Sequence, residues 1–161
     1  MKRLALVLAA GIALSGCGLR PLYADGSRGA AASILSQISV APISGREGWL
    51  VRTALVDRIG DHGDSARYRL EIRLDDQIQG LGLRSDATTT RERRTLRARY
   101  KLVDTVENRL VVDTTTGSDV GIDIVNSEYA TVAAEQTALE RLAERVADQI
   151  VTRIATGADK A

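Results

Sequence analysis

Cysteine, histidine and phenylalanine are scarce in this chain of 161 residues, which contains one cysteine, one histidine and no phenylalanine. A single cysteine excludes a disulfide within the chain, so packing must stabilise the fold. Aromatic residues make up only 3% of the sequence. The core must therefore be built from leucine, isoleucine, valine and alanine.

Groups that could carry catalysis or bind a metal are equally few. The one histidine, His62, lies in a glycine-flanked turn beside Asp61 and Asp64, and no serine is in a nucleophile-elbow setting. A catalytic triad needs a nucleophile, a base and an orienting acid together. No spacing of potential ligands resembles a transition-metal site or an EF-hand loop. We therefore expect a solvated histidine, no catalytic residue, no metal and no cofactor, and hence a protein that is not an enzyme.

Cys17 follows the features of an export signal. Residues 1–3 carry positive charge, residues 4–14 are apolar or small, and Ser15 and Gly16 are the small residues that a signal peptidase needs. The apolar run of 11 residues is too short for a membrane-spanning helix, which needs about 20. The tetrapeptide Leu-Ser-Gly-Cys resembles the bacterial lipobox. This resemblance implies a diacylglyceryl thioether on Cys17, cleavage before it and acylation of the new N-terminus.

An ordinary secretory signal followed by an unpaired cysteine is the alternative interpretation. A free exported thiol is exposed to oxidation and mispairing, which argues against it. Several acyl chains on Cys17 would anchor the protein stably, since each buried CH₂ contributes about 0.8 kcal/mol. The sequence thus predicts a signal peptide at residues 1–16, a lipidated N-terminus and tether at 17–32, a single α+β domain at 33–157 and a flexible tail at 158–161.

Alternating apolar and charged residues predict half-buried antiparallel strands over residues 67–75 and 88–103. The inward positions of the second strand are Leu96, Ala98, Tyr100 and Leu102. A hairpin turn at residues 107–108 leads into a third strand over 109–116, whose inward residues are Leu110 and Val112.

Weaker patterns surround these strands. Residues 34–40 predict a short strand that stops before Pro42. Residues 80–82 and 85–86 predict a bend or hairpin, and residues 117–123 are less regular.

Helical periodicity predicts two amphipathic helices. One covers residues 45–60, with apolar positions Trp49, Leu50, Thr53, Val56 and Ile59. The other begins with Asn126 or Ser127 as N-cap and ends at Gly157. Its apolar stripe, interrupted at Gln136, consists of Tyr129, Val132, Leu139, Leu142, Val146, Ile150 and Ile154. The order strand, helix, three strands, helix predicts an α+β two-layer sandwich: a mainly antiparallel four-stranded sheet with two helices packed on one face.

Positive charge is concentrated in the predicted sheet. Residues 66–101 contain ten basic and five acidic residues, a net charge of +5, whereas the rest of residues 17–161 carries −6. Five cations share one face of a single strand and are interrupted only by Thr95: Arg91, Arg93, Arg97, Arg99 and Lys101. Same-face neighbours lie about 7 Å apart along a strand. These cations repel one another, and an anionic partner would relieve the repulsion.

The alternative for these five cations is a solvated face on which they pair with Glu71 and Asp75 of the neighbouring strand. Two carboxylates cannot neutralise five cations, and the planar guanidinium of arginine meets phosphate oxygens bidentately. We therefore expect an anion-binding role. Nucleic acid is not the expected partner, because the exported chain has a net charge of −1 after residue 16 and aromatics do not interleave with the cations on this face.

Several segments resemble the family of lipopolysaccharide-assembly lipoproteins known as LptE. Residues 17–23 (CGLRPLY) resemble the start of the mature family sequence, with leucine where an aromatic is usual. Residues 80–82 (GLG) precede a strand rich in threonine and arginine, residues 99–104 (RYKLVD) resemble a Y-x-L-x-D strand, and residues 127–130 (SEYA) resemble the entry to the last helix. These segments occur in the family's order over nearly the whole chain after the signal peptide.

The resemblance implies two helices packed against a sheet, in agreement with the predicted order. It also implies an outer-membrane lipoprotein, held by its acyl chains at the periplasmic face, that inserts into the barrel protein LptD as a plug. Together the two proteins would move lipopolysaccharide to the outer leaflet. Gly18, next to the lipidated cysteine, is compatible with sorting to the outer membrane.

Combined with the charge pattern, the resemblance predicts two uses for the five cations. They bind the phosphates of lipid A, or they contact acidic groups that line the barrel. A further alternative, from another class, is a structural envelope lipoprotein that scaffolds another outer-membrane complex without a lipid ligand.

Overall fold

The computed structural model describes residues 30–83, 89–125 and 127–158. In chain order these residues form α1 (Ala30–Leu35), β1 (Ile38–Val40), α2 (Gly45–Ile59), a 3-10 turn (Gly63–Ser65), β2 (Tyr68–Leu83), β3 (Thr89–Asp104), β4 (Arg109–Asp123) and α3 (Glu128–Ala158).

The four strands form one sheet in the order β1-β2-β3-β4. β2, β3 and β4 are antiparallel neighbours, whereas β1 runs parallel to β2. A parallel pair needs a crossover connection, and α2 lies within it. The predicted α+β class, with a four-stranded sheet and two main helices, is confirmed. The parallel β1 makes the sheet mixed.

The core lies between the sheet and the two main helices. The predicted inward residues of β3 are all buried, and they meet fully buried residues of the helices: Val51 and Leu55 of α2, and Leu142, Val146 and Ile150 of α3. Tyr100 is the largest fully buried side chain. Aliphatic residues thus fill the core, as the scarcity of aromatics predicted.

β2 and β4 are longer than their sequence patterns predict. Residues 80–82 continue β2 rather than bending, with Gly80 opposite Glu92, while residues 85–86 lie outside the described residues. Residues 117–123 continue β4 and pair with residues 91–97. Pairing with β3 on each side outweighs the poor strand propensity of the glycines.

The prediction that Leu110 faces inward is wrong, because β4 contains a bulge. Leu102 pairs with Val112, but the next residue, Val103, pairs with Leu110. A register shift of one residue reverses the face to which a side chain points. Leu110 is accordingly 51% exposed, while Val112 still packs against the core.

Four positions predicted for the helix stripes are exposed: Trp49 (64%), Thr53, Tyr129 (85%) and Val132 (44%). α2 buries Val51, Ala54 and Leu55 instead. The buried stripe of α3 starts only at Ala138, so periodicity located the helix but not the point at which it reaches the core.

The two ends of the domain also differ in detail. Ile34 lies in α1 rather than in a strand, since the alanines before it favour a helix. The N-cap of α3 is Ser127, whose Oγ accepts a hydrogen bond from the backbone N–H of Ala130 (3.4 Å); Asn126 lies outside the described residues.

Asp104 is a fully buried carboxylate at the end of β3. Its Oδ1 accepts hydrogen bonds from the backbone N–H groups of Val106 (3.0 Å) and Glu107 (3.1 Å), and its Oδ2 accepts one from Arg67 Nε (2.9 Å). These bonds close the β3–β4 turn and join it to β2. Chiefly the N–H of Glu107, and then Arg67, hold the pKa of the Asp104 carboxyl below its ordinary value, although burial opposes the shift.

The substitution Asp104→Asn should lower the free energy of unfolding at neutral pH, because it removes the ion pair with Arg67. A carboxyl whose folded pKa lies below its unfolded value of about 3.9 stabilises the fold above that pH and loses this contribution as the pH falls through the folded pKa. Urea unfolding should therefore show the largest difference in the free energy of unfolding between the two proteins at neutral pH. That difference should become smaller below about pH 4. The exposed Asp57→Asn serves as control, and a difference independent of pH would contradict this role of Asp104.

Candidate functional site

The open face of the sheet, opposite the helices, carries the candidate site. Even-numbered residues of β3 from Leu96 to Leu102 are buried, so the odd-numbered residues point to the open face. All five predicted cations lie there and are exposed: Arg91, Arg93, Arg97, Arg99 and Lys101. We call these five residues the cation row.

Carboxylates of the neighbouring strand β4 pair with part of the cation row. The Nε of Arg91 lies 3.4 Å from an Asp123 oxygen, directly across the ladder. The Nε of Arg93 lies 3.7 Å from an Asp119 oxygen, on the diagonal. All four side chains are more than half exposed, so these pairs contribute little to stability.

Asp113 is shared by the two remaining paired cations. Arg99 donates two hydrogen bonds of 3.1 Å to its two carboxylate oxygens, and the Nζ of Lys101 lies 3.9 Å from Oδ2. The bidentate contact with Arg99 is the main reason that the pKa of the Asp113 carboxyl lies below its ordinary value.

The pairing with Glu71 and Asp75 that the sequence suggested as an alternative is not formed. Glu71 accepts a hydrogen bond of 3.0 Å from Arg69 on its own strand, and Asp75 accepts 3.2 Å bonds from Gln77. The sequence did not indicate the three aspartates of β4 as partners of the cation row, because two of them lie in residues 117–123, where the strand pattern is weak. Their common odd numbering on β4 was the available signal.

Positive charge on the cation row is only partly paired. Three β4 carboxylates pair with four of the cations. Among the described residues, no carboxylate lies within ion-pair distance of Arg97. On β2, Arg73 lies directly across the ladder from Arg99 and adds a cation to the same face. Asp75 lies directly across from Arg97 and Glu71 directly across from Lys101, but neither carboxylate is within ion-pair distance of the cation row. An anion that approaches the middle of the cation row would therefore meet Arg97 without displacing an ion pair.

Two glycines of β4 leave room for arginine side chains. A Cβ on Gly117 would lie 3.0 Å from the Leu96 carbonyl oxygen and 3.2 Å from Cγ of Arg97. A Cβ on Gly121 would lie 3.1 Å from Nε of Arg91. Both arginines thus lean toward β4 and pack over its glycines.

Arg94 belongs to the same basic segment but has a structural role. It points toward the helices, where its Nε donates a hydrogen bond to Asp76 (2.9 Å) and its Nη1 donates one to the carbonyl of Glu135 in α3 (2.8 Å). Both charged side chains are less than a fifth exposed. Arg94 therefore holds the early turns of α3 against the sheet.

His62 is half-buried rather than fully solvated, with its Nε2 2.8 Å from the carbonyl oxygen of Ile59 at the end of α2. Across residues 30–83, 89–125 and 127–158, no group of three or more His, Cys, Asp or Glu side chains is placed to hold a metal ion. None of the helices in that part of the chain combines the length and apolarity needed to span a membrane.

A two-layer α+β domain with an open basic sheet face is the class that this structure defines, and solved bacterial lipoproteins share its fold. A Caulobacter crescentus protein classed as a lipoprotein is 27% identical, with a TM-score of 0.71 over 84% of this chain and 100% of its own. The minor lipoprotein of Acinetobacter baumannii is 16% identical, with a TM-score of 0.57 over 76% and 94%. The rare lipoprotein B of Shewanella oneidensis is also 16% identical, with a TM-score of 0.53 over 74% and 94%.

None of the curated proteins compared with this chain matches it. The family model LptE, lipopolysaccharide-assembly, matches residues 35–154. The chain belongs to the LptE family, and its role lies in lipopolysaccharide assembly in the bacterial envelope. The structure explains the resemblance of residues 99–104: Tyr100 and Leu102 are buried, and Asp104 closes the turn. The tyrosine, leucine and aspartate of that motif therefore serve the fold rather than ligand contact.

The two substitutions Gly117→Ala and Gly157→Ala should have opposite effects on stability. A methyl group on Gly117 meets backbone and Arg97, which should lower the free energy of unfolding by roughly 1–3 kcal/mol. Gly157 has nothing within 4 Å of its Cβ position and lies in α3, so alanine there should raise it by up to about 1 kcal/mol. Urea unfolding measures both, and equal effects would contradict the close approach of Arg97 to β4.

Proposed function

We propose that this chain binds lipopolysaccharide through the cation row and delivers it to the outer leaflet. It does so as an outer-membrane lipoprotein, exported by residues 1–16 and held at the periplasmic face by acyl chains on Cys17. In that position it plugs the barrel of LptD and assists the assembly of that barrel. Membership of a lipopolysaccharide-assembly family supports the pathway.

The excess of exposed positive charge on one sheet face is the observation that carries this proposal. Lipid A carries phosphates, and arginine binds phosphate with paired, charge-assisted hydrogen bonds. Exposed ion pairs such as Arg91–Asp123 contribute little, so an incoming phosphate can replace the aspartate at little cost. Arg97 forms no ion pair among the described residues, so a phosphate can bind it without replacing a carboxylate. Binding of several phosphates in a line would separate neighbouring lipopolysaccharide molecules.

The direction of the cation row suits transfer away from the anchoring leaflet. β1 begins where Ile38 pairs with Tyr68, and Tyr68 in turn pairs with Asp104 at the hairpin end of β3. The chain therefore enters the domain at that end. From Lys101 to Arg91 the row runs ten residues, about 33 Å, toward the opposite end. With Cys17 in the membrane, the row would form a track that leads away from it.

A second candidate function places the same face against acidic groups that line the barrel. Pairing of the cation row with Asp113, Asp119 and Asp123 favours it, since carboxylates evidently fit beside these side chains. A structural scaffold without a lipid ligand would need neither interaction.

The double substitution Arg93→Glu with Arg97→Glu should weaken capture of lipopolysaccharide by the purified acylated protein by about tenfold or more, because two charge-assisted contacts become repulsive. Arg46→Glu with Arg145→Glu makes the same charge change on exposed helix positions and should leave capture unchanged. Unchanged capture by the variant with Arg93→Glu and Arg97→Glu would contradict the lipid-binding proposal. Loss of barrel co-purification with normal capture would favour the second candidate.

The single substitution Asp113→Asn should act in the opposite direction. It removes the carboxylate that Arg99 and Lys101 share, so both cations become available and capture of lipopolysaccharide should increase. The same pull-down measures this, with Asp57→Asn as an exposed control. A decrease would indicate that the aspartate orients the row rather than competing with the ligand.

Affinity isolation of the acylated protein from detergent-solubilised outer membrane should recover a large barrel protein. The lipid-binding and plug functions both require this partner, so its absence would favour the scaffold. A Cys17→Ser variant, which cannot receive the thioether, should be missing from the membrane fraction.

A further inference from the structure

A groove runs along the free edge of β4, between that strand and the C-terminal half of α3. It has a volume of about 560 Å³ and is lined by Thr95, Arg97, Thr115, Thr116, Gly117, Ser118, Asp119, Gln149 and Arg153. Within the described residues, β4 is the last strand of the sheet, so no further strand pairs with its outer edge. The groove is therefore open on its outer side to a ligand.

Two arginines from different elements meet at this groove. Arg97 comes from the open face of β3, and Arg153 comes from α3. The Nη1 of Arg153 donates a hydrogen bond to the Thr115 carbonyl (3.0 Å), which holds one end of its guanidinium group at the strand edge. Within the described residues, neither arginine has a carboxylate within ion-pair distance. Asp119, the one carboxylate in the lining, is paired with Arg93.

The rest of the lining supplies neutral hydrogen-bonding groups and space. Hydroxyl groups that line the groove come from Thr95, Thr115 and Ser118, whereas Thr116 already donates its hydroxyl proton to the side-chain oxygen of Gln149. Gly117 has no side chain, so the aliphatic part of Arg97 packs closely against it. Two guanidinium groups beside several hydroxyl groups match a tetrahedral oxyanion, which accepts hydrogen bonds on every oxygen.

We propose that this groove is a phosphate-binding site in which Arg97 and Arg153 hold the anion from two sides. Arg153 lies outside the cation row, so the groove extends phosphate recognition from the open face around the sheet edge to α3. Its link to lipopolysaccharide rests on the proposed function, whereas binding of phosphate itself does not. The phosphate can be borne by a lipid head group or be free.

Nuclear magnetic resonance of the mature acylated protein in zwitterionic detergent tests the site, with nitrogen-labelled arginine side chains. Inorganic phosphate should shift the Nε–Hε signals of Arg97 and Arg153 together and to saturation, while sodium chloride at equal ionic strength should not. Arg153→Glu should weaken the apparent affinity by at least about tenfold. Arg145→Glu makes the same charge change on an exposed position of α3 outside the groove and should leave it unchanged.

The alternative outcomes separate the possible sources and overturn the site if it is wrong. A water-soluble phosphatidic acid that binds more tightly than inorganic phosphate identifies a lipid head group, and equal binding identifies free phosphate. Signal shifts that never saturate would contradict the proposed site, because they indicate general attraction by positive charge. An equal loss of phosphate affinity in Arg145→Glu would contradict it for the same reason. Arg153→Gln keeps a polar side chain. It must also bind phosphate more weakly if the effect of Arg153→Glu comes from the lost charge and not from misfolding.

Phosphate binding in the groove and lipopolysaccharide capture by the cation row can be tested separately. Lys101→Glu alters the cation row at a residue outside the groove, so it should reduce lipopolysaccharide capture and leave phosphate binding intact. If Arg153→Glu abolishes phosphate binding but not lipopolysaccharide capture, the groove binds another phosphate. If Lys101→Glu and Arg93→Glu leave capture unchanged while Arg153→Glu abolishes phosphate binding, the proposed function fails and the groove remains.

Discussion

The alternation of side chains along β3 is the constraint on which the rest of the structure depends. β3 is paired on both sides, and its Leu96, Ala98, Tyr100 and Leu102 fill the core. A slip of one residue would turn these side chains to water and place five cations against the helices. Because buried unpaired charge is so unfavourable, the same pattern that builds the core also aligns the cation row.

The neighbours of β3 decide how this charge is presented. β4 contributes aspartates that pair with four of the cations and glycines over which two arginines lean. α3 contributes Arg153 at the strand edge. The cations of the open face are therefore only partly neutralised, and most of them are held in exposed ion pairs. This arrangement suits reversible contact with an anionic partner in the lipopolysaccharide assembly to which the family belongs.

Predictions from the sequence were accurate where one periodic pattern spans a whole element. The α+β class, α2, β3 and the buried stripe of α3 from Leu139 onward follow from such patterns. Errors fall where long-range pairing overrides local preference. Gly80 and residues 117–123 are drawn into strands by β3, and the bulge in β4 reverses Leu110. Trp49 lies between buried residues of α2, so the predicted stripe was on the wrong face of that helix. Tyr129 precedes the part of α3 that packs on the core, which periodicity cannot locate.

The sequence by itself determined which side chains share a strand face, since alternation is a property of the extended backbone. That was enough to identify the five cations of the cation row and the motifs that indicate the LptE family. Only the tertiary structure decided which carboxylates pair with the row, that Arg97 has no such partner among the described residues, and that Arg153 joins it. Those contacts depend on the register between strands and on where α3 packs, and neither is encoded in any single segment.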